Sequence, residues 1–283
     1  DTEGNPLFIV ETVRAGIAER ETGRPGDGEA GRRTVDSDTA TLPPKVRAVI
    51  QRRLALLSPG AQALAETAAV LGRAFTFPVL AHASGLDDSA IVQGMDELWR
   101  RRIVREQGAD AYDFSHDKIR AVAYAGLSPM RRRAAHIRAA EALVAVYRAE
   151  LSPMRAQIAE HYGRAGISEQ AITYYRQAAS AAQRVFAFSD ALDLLKRAVS
   201  LLSALPDDSS RRQKSLQLYE QVGDIHGWLA HHDSALEAYR VAQESISADA
   251  ILDRARLHRK TGNTLDRARC HYDEIAAEYE AAN

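Results

Sequence analysis

The sequence predicts a mostly α-helical protein: a helical domain carrying one small β-hairpin, followed by stacked pairs of antiparallel helices. Three observations carry that prediction. Apolar residues recur at helical spacing along most of the chain from Lys45 onward. One stretch, IVREQGADAYDF at 103–114, breaks the period with β-branched residues, a turn and alternating aromatics. Beyond residue 153, small and aromatic residues return at fixed offsets. Composition agrees, since Ala, Leu and Arg dominate and only 9 prolines and 17 glycines interrupt 283 residues, proportions that build helices.

The chain opens DTEGNPLFIVE, a polar run that turns through Gly4-Asn5-Pro6 into an apolar segment without an initiator methionine, which predicts further sequence upstream. Residues 6–20 read as a short helix. The stretch 19–41 is rich in Gly, Asp and Arg and nearly devoid of apolar residues; it cannot bury enough surface to offset its ordering entropy and reads as a flexible loop. From Lys45, Val46, Val49, Ile50, Leu54 and Leu57 follow the spacing of one buried helix face. Ser58-Pro59 supplies an N-cap and a first-turn proline for a second helix burying Leu64, Ala65, Ala68 and Leu71. A short element holds Phe77, Val79 and Leu80, and Asp87, Asp88 and Ser89 offer caps for a helix whose Ile91, Met95, Leu98 and Trp99 share a face.

The 103–114 stretch then reads as a hairpin turning at Gln107-Gly108-Ala109-Asp110. Three helices followed by a two-stranded wing is the arrangement of a winged helix, placed at 42–127. Ser128-Pro129 opens a helix through Ile137, Ala140, Val144 and Tyr147, and Ser152-Pro153 opens another. After that, Ala159, Tyr162, Ala171, Tyr175 and Ala178 have the spacing of a tetratricopeptide unit, with small residues where two helices touch and aromatics beside them. Gly223, His226, Ala235, Tyr239 and Ala242 repeat those offsets, and Ala268, Tyr272 and Ile275 give a poorer copy. Ala191, Leu195 and Ala198 repeat the second-helix pattern too close to Ala171 for a separate unit, so the helix through 169–186 is expected to serve two. The repeat domain is placed at 128–283, and Tyr279 to Asn283 read as a cut through a longer array.

Several functions are excluded at this level. A net charge of -1 leaves the chain as a whole no electrostatic basis for nucleic-acid or membrane binding. The single cysteine, Cys270, forbids an intramolecular disulfide and fits a reducing cytoplasm, where the protein is expected. No apolar run reaches the roughly 20 residues that span a bilayer. His226, His231 and His232, with Asp233, lack the i, i+4 spacing and the cysteines of a zinc site, and adjacent Cys270-His271 point apart on a helix. No catalytic residues and no metal ligands are expected.

Three stretches together resemble the signal-transduction ATPases with numerous domains, the STAND class, and among them the bacterial transcriptional regulators. They are EGNPLFIVE at 3–11, the 42–127 region with YDFSHDKIRAVAYAGLSPMRRRAAHIRAAEAL at 112–143, and the repeats. The resemblance makes 1–18 the end of an ATPase lid and implies an upstream nucleotide-binding domain. It implies ADP or ATP with magnesium in the full-length protein, an inducer or protein partner on the repeats, and an oligomer on activation. Gly4-Asn5-Pro6 matches the lid motif and would carry the adenine contact on Pro6. Ser115-His116-Asp117 matches a methionine-histidine-aspartate motif, with Ser for Met, and would carry the β-phosphate contact on His116. The chain has no G-x-x-x-x-G-K-[ST] run, so no ATP hydrolysis and no cofactor is expected of it alone. From the residues, Ser115 is the expected N-cap and His116 the first turn, a helix start that suits a phosphate.

Two other readings stand beside this one: a tetratricopeptide-like interaction scaffold, and a DNA-binding winged helix. Trp99-Arg100-Arg101-Arg102 ends the helix that would read DNA, but its N-terminal part is DDSAIVQG, with two acids where bases and phosphates would lie. No nucleic-acid contact is expected through this chain. Arg131-Arg132-Arg133 occupy a first helical turn, electrostatically poor for cations, which suggests solvation, ion pairs or a ligand-facing role.

Overall fold

The computed structural model describes residues 42–108, 111–247, 250–268 and 272–282, the side chains of 272–276 excepted. The expectations for 1–41, Pro6 and the loop included, lie outside the described residues, as do those for Cys270 and His271. Packing divides the chain after Val146 into two units.

The first unit runs α1 (Pro44–Ala55), α2 (Pro59–Leu71), β1 (Ala74–Thr76), α3 (Phe77–Ser84), α4 (Asp88–Arg100), β2 (Val104–Glu106), β3 (Ala111–Phe114), α5 (Asp117–Ala125) and α6 (Pro129–Val146). Ser58 caps α2 by accepting from the Ala61 N–H, and its hydroxyl donates to Glu97 at 2.6 Å, tying the start of α2 to α4. The two helices touch where Gly94 faces Leu64: a β-carbon at Gly94 would sit 2.5 Å from a Leu64 methyl. The buried face of α4 is therefore Ile91, Gly94, Met95 and Leu98. Trp99, expected on that face, is 59% exposed, because one position beyond Leu98 a helix has turned about 100° away.

The hairpin is joined by a strand that periodicity could not reveal. β1 pairs with β3, giving a three-stranded antiparallel sheet of order β1-β3-β2. A three-residue strand is too short to show a period, and residues 77–84, expected only as a short element, form α3. β3 is thus central. Asp113, which the alternation places among polar outward positions, is buried opposite Ala74 on one side and Arg105 on the other.

Helix α6, expected to open the repeats, packs on α2 and α3 within the first unit. Its buried face is Ala135, His136, Ala139, Ala140, Ala142 and Leu143, one step around from the Ile137 and Val144 face that the pattern suggested. Buried His136 meets the Tyr124 hydroxyl at 2.9 Å. The expected cation problem in the first turn is answered locally. Arg131 pairs with Glu66 at 2.6 Å, and Arg132 donates to the carbonyls of Tyr124 and Ala125 at the end of α5, where a helix dipole favours a cation.

In the second unit a 3-10 turn at Ser152–Met154 leads into α7 (Arg155–Arg164), then α8 (Ser168–Arg184), α9 (Phe188–Ser200), α10 (Ser209–Trp228), α11 (His232–Glu244), α12 (Ile251–Arg267) and α13 (Tyr272–Ala282). The pairs α7/α8, α8/α9, α10/α11 and α12/α13 pack most closely, so α8 does serve two pairs. Their seams bury the expected residues: Ala159, Ala171 and Tyr175 in one, Ala235, Tyr239 and Ala242 in another. Three turns share one backbone form. A left-handed residue, Gly166 (φ 72°), Phe186 (φ 59°) or Ala230 (φ 56°), is followed by a bridging residue with ψ of 70°, 65° and 70° in turn. The fold is mostly α, with a small hairpin-based sheet followed by tetratricopeptide-like helix pairs.

Candidate functional site

The sequence singles out the start of α5. Ser115 remains bound to the sheet, its N–H donating to the Ile103 carbonyl at 3.0 Å. The helix therefore begins one residue later than expected: His116 is the N-cap, with extended backbone (φ -148°, ψ 137°), and Asp117 is the first helical residue. The His116 carbonyl accepts from the Ile119 N–H at 3.0 Å, while its imidazole makes no cap bond to its own helix.

Around it lies a small charge cluster. Asp113 is 2% exposed and approached by Arg105 at 3.3 Å and Arg73 at 3.5 Å, with the Gln107 amide at 3.5 Å. Its other oxygen, Oδ1, is buried and has no hydrogen-bond partner among the described residues. Arg73 also reaches Asp117 at 3.1 Å. At this helix start Arg73 thus offsets both acids, Asp113 and Asp117. Pro6, the other predicted contact, lies outside the described residues.

The other singled-out groups do less. His226 and His231 stack obliquely with ring centres 5.8 Å apart, and among the described residues no three His, Cys, Asp or Glu side chains could hold a metal ion. Beside exposed Trp99, Arg101 is paired with Glu97 at 2.9 Å and Arg100 donates to the Asp96 carbonyl.

Sequence reasoning missed the polar rows by which α8, α10 and α12 face one another. Between α10 and α12, acids and bases close the gap. Arg256 and Lys260 reach Glu220 at 2.8 Å each, Lys260 reaches Asp224 at 2.7 Å, and the Tyr239 hydroxyl donates to Asp224 at 2.9 Å. Burial alone would raise the Glu220 carboxyl; hydrogen bonds from Arg256 and Lys260 outweigh it and hold the group below its ordinary range. Burial, reinforced by Asp224, pushes the Tyr239 phenol up.

Between α8 and α10 the groove stays open. Ile172, Thr173 and Arg176 face Gln213, Lys214 and Gln217 across a cavity of about 170 Å³. At one end Lys214 bonds Glu169 at 2.7 Å and Ser210 at 2.8 Å; at the other, the Gln221 amide reaches Ser180 at 3.1 Å. Among the described residues no carboxylate pairs with Arg176. The signal for this face was present as Gln213, Gln217 and Gln221 at i, i+4 spacing, a polar row that a search for apolar periods passes over.

The second unit thus belongs to the class of helical repeats built from tetratricopeptide-like pairs. No family model matches the chain, and no curated protein matches it. Among solved structures it is similar to a signal-transduction ATPase with numerous domains that has a tetratricopeptide repeat sensor, from Pyrococcus horikoshii. The identity is 12% and the TM-score 0.34, over 83% of this chain and 45% of that one. The chain spans less than half the length of that protein. A likeness so distant decides nothing about function.

Proposed function

We propose that this chain is the regulatory and sensor arm of a STAND-type signalling ATPase that acts as a transcriptional regulator. The first unit is read as its winged helix, and the helix pairs of the second as the surface that takes an inducer or protein partner. The observation that supports it most is the recurring helix pair with its shared turn form at Gly166, Phe186 and Ala230, since stacked pairs present long side-chain rows to a partner. The chain is non-catalytic in this reading: hydrolysis belongs to an upstream nucleotide-binding domain that holds ADP or ATP with magnesium, and the setting is the cytoplasm.

His116 is the residue of this chain assigned to the switch. A hydrogen bond from its ring to a phosphate oxygen holds the first unit against the nucleotide-binding domain in the resting state, and Arg73 keeps Asp117 from repelling that oxygen. One such bond, about 1–3 kcal/mol, suffices to bias a two-state equilibrium. Partner binding on the repeats and exchange of ADP for ATP release it and permit oligomerisation. The test is made in a protein that joins this chain to its nucleotide-binding domain. His116→Ala is expected to speed ADP release about tenfold or more and to give output without inducer; an unchanged ADP off-rate would sink the assignment.

A further inference from the structure

The α8/α10 and α10/α12 grooves differ in charge balance. In the α10/α12 groove both bases are answered: Arg256 pairs with Glu220 and Asp253, and Lys260 with Glu220 and Asp224. In the α8/α10 groove, Glu169 answers only Lys214. The guanidinium of Arg176, half-buried at the middle of the groove, is left with a full positive charge and no acid of the described chain beside it. The opening takes one carboxylate.

What surrounds it tells how that carboxylate is presented. Gln213 and Gln217 line the same cavity, and neither makes a side-chain hydrogen bond within the described chain. A primary amide both donates and accepts, which matches the alternating N–H and C=O groups of an extended backbone. A free small anion would use only the donors. The polar row continues past the cavity through Gln221, which bonds Ser180 and Gln183 at 3.1 and 3.4 Å. At about 170 Å³ the cavity is smaller than the several hundred Å³ of ordinary small-molecule pockets, yet has room for one acidic side chain.

We infer that the α8/α10 groove binds an extended peptide segment of a partner protein, seating one Asp or Glu side chain on Arg176 with Lys214 beside it. Gln213 and Gln217 pair with the peptide backbone. The inference rests on the reading of the repeats as the partner-binding arm and names the chemistry of that partner. Arg176 is suited to the task because a guanidinium grips a carboxylate through two parallel N–H bonds.

The test uses the full chain and two capped heptapeptide libraries, one with a fixed central Glu and one with Gln in its place. Binding is measured by fluorescence anisotropy and by the Arg176 side-chain N–H resonance. The best Glu peptide is expected to bind at least tenfold more tightly than its Gln counterpart. Arg176→Gln is expected to erase that difference, with Gln217→Ala weakening both peptides about threefold and thermal melts confirming that both variants are folded. Equal affinity for the two libraries, no binding by either, or a Glu preference that survives Arg176→Gln would each overturn the site. Free glutarate binding as tightly as the best peptide would overturn the peptide assignment. His116→Ala leaves this groove intact, so a failed peptide test with altered ADP release sinks the groove alone, and the reverse result sinks the switch alone.

Discussion

The α7/α8 pair and the α10/α11 pair are two versions of one design, 64 positions apart by their matching seam residues, and they are tuned differently. Where the second pair buries Ile225, the first buries His161, and where the first has Ala159, the second has Gly223. The second also leads into a groove closed by ion pairs, whereas the first leads into the open one. One scaffold thus serves as a sealed seam at one place and as an unfilled polar face at another. The difference lies in a few side chains, because the backbone form of the turns is shared.

The largest effect that would separate the pairs is acidification. Burial, with Arg164 adding to it, pushes the His161 imidazole down to about 4 from its ordinary 6.5. The folded form thus resists a proton that the unfolded chain accepts. Stability is whole above about pH 6.5 and is lost as pH falls toward about 4, by about 3 kcal/mol in all. Melting the chain between pH 7 and 4.5 should show the loss. His161→Ile, which copies the second pair, should remove most of it, leaving the weaker slope of His226, shifted the same way by burial and by His231. An unchanged slope in that variant would mean that the pairs do not differ in this respect.

Packing gives the next contrast. A β-carbon at Gly223 would lie 2.5–2.9 Å from the Tyr239 ring, which is also held by its bond to Asp224. Gly223→Ala is expected to cost about 2 kcal/mol through overpacking. One turn on, Gly227 has nothing within 4 Å, so Gly227→Ala should stabilise by about 0.5–1 kcal/mol through lowered chain entropy. Urea midpoints of the two variants moving the same way would contradict this geometry.

The smallest contrast lies in the charges. Glu220→Gln leaves Arg256 and Lys260 sharing one acid fewer and should cost about 1–2 kcal/mol, since Glu220 is only 13% exposed. Glu169→Gln, at a 62% exposed carboxylate, should change stability by under about 0.5 kcal/mol. Equal costs in chemical denaturation would mean that the first groove is sealed as tightly as the second.

The sequence by itself determined most of the helices, the caps at Ser58 and Asp87 and the small-residue seams. Ser58 and Asp87 cap where their side chains announce it, and Ala159, Ala171 and Tyr175 are buried where the repeat spacing places them, because capping and periodic burial depend on near neighbours along the chain. Only the tertiary structure decided the rest. β1 exists because β3 offers it an edge; Asp113 is buried because that pairing makes its strand central; and the start of α5 falls on His116 because Ser115 still bonds to Ile103. The solitary charge of Arg176 is of the same kind. Whether a charge is answered depends on which helices a fold sets side by side, and no spacing along a single helix carries that information.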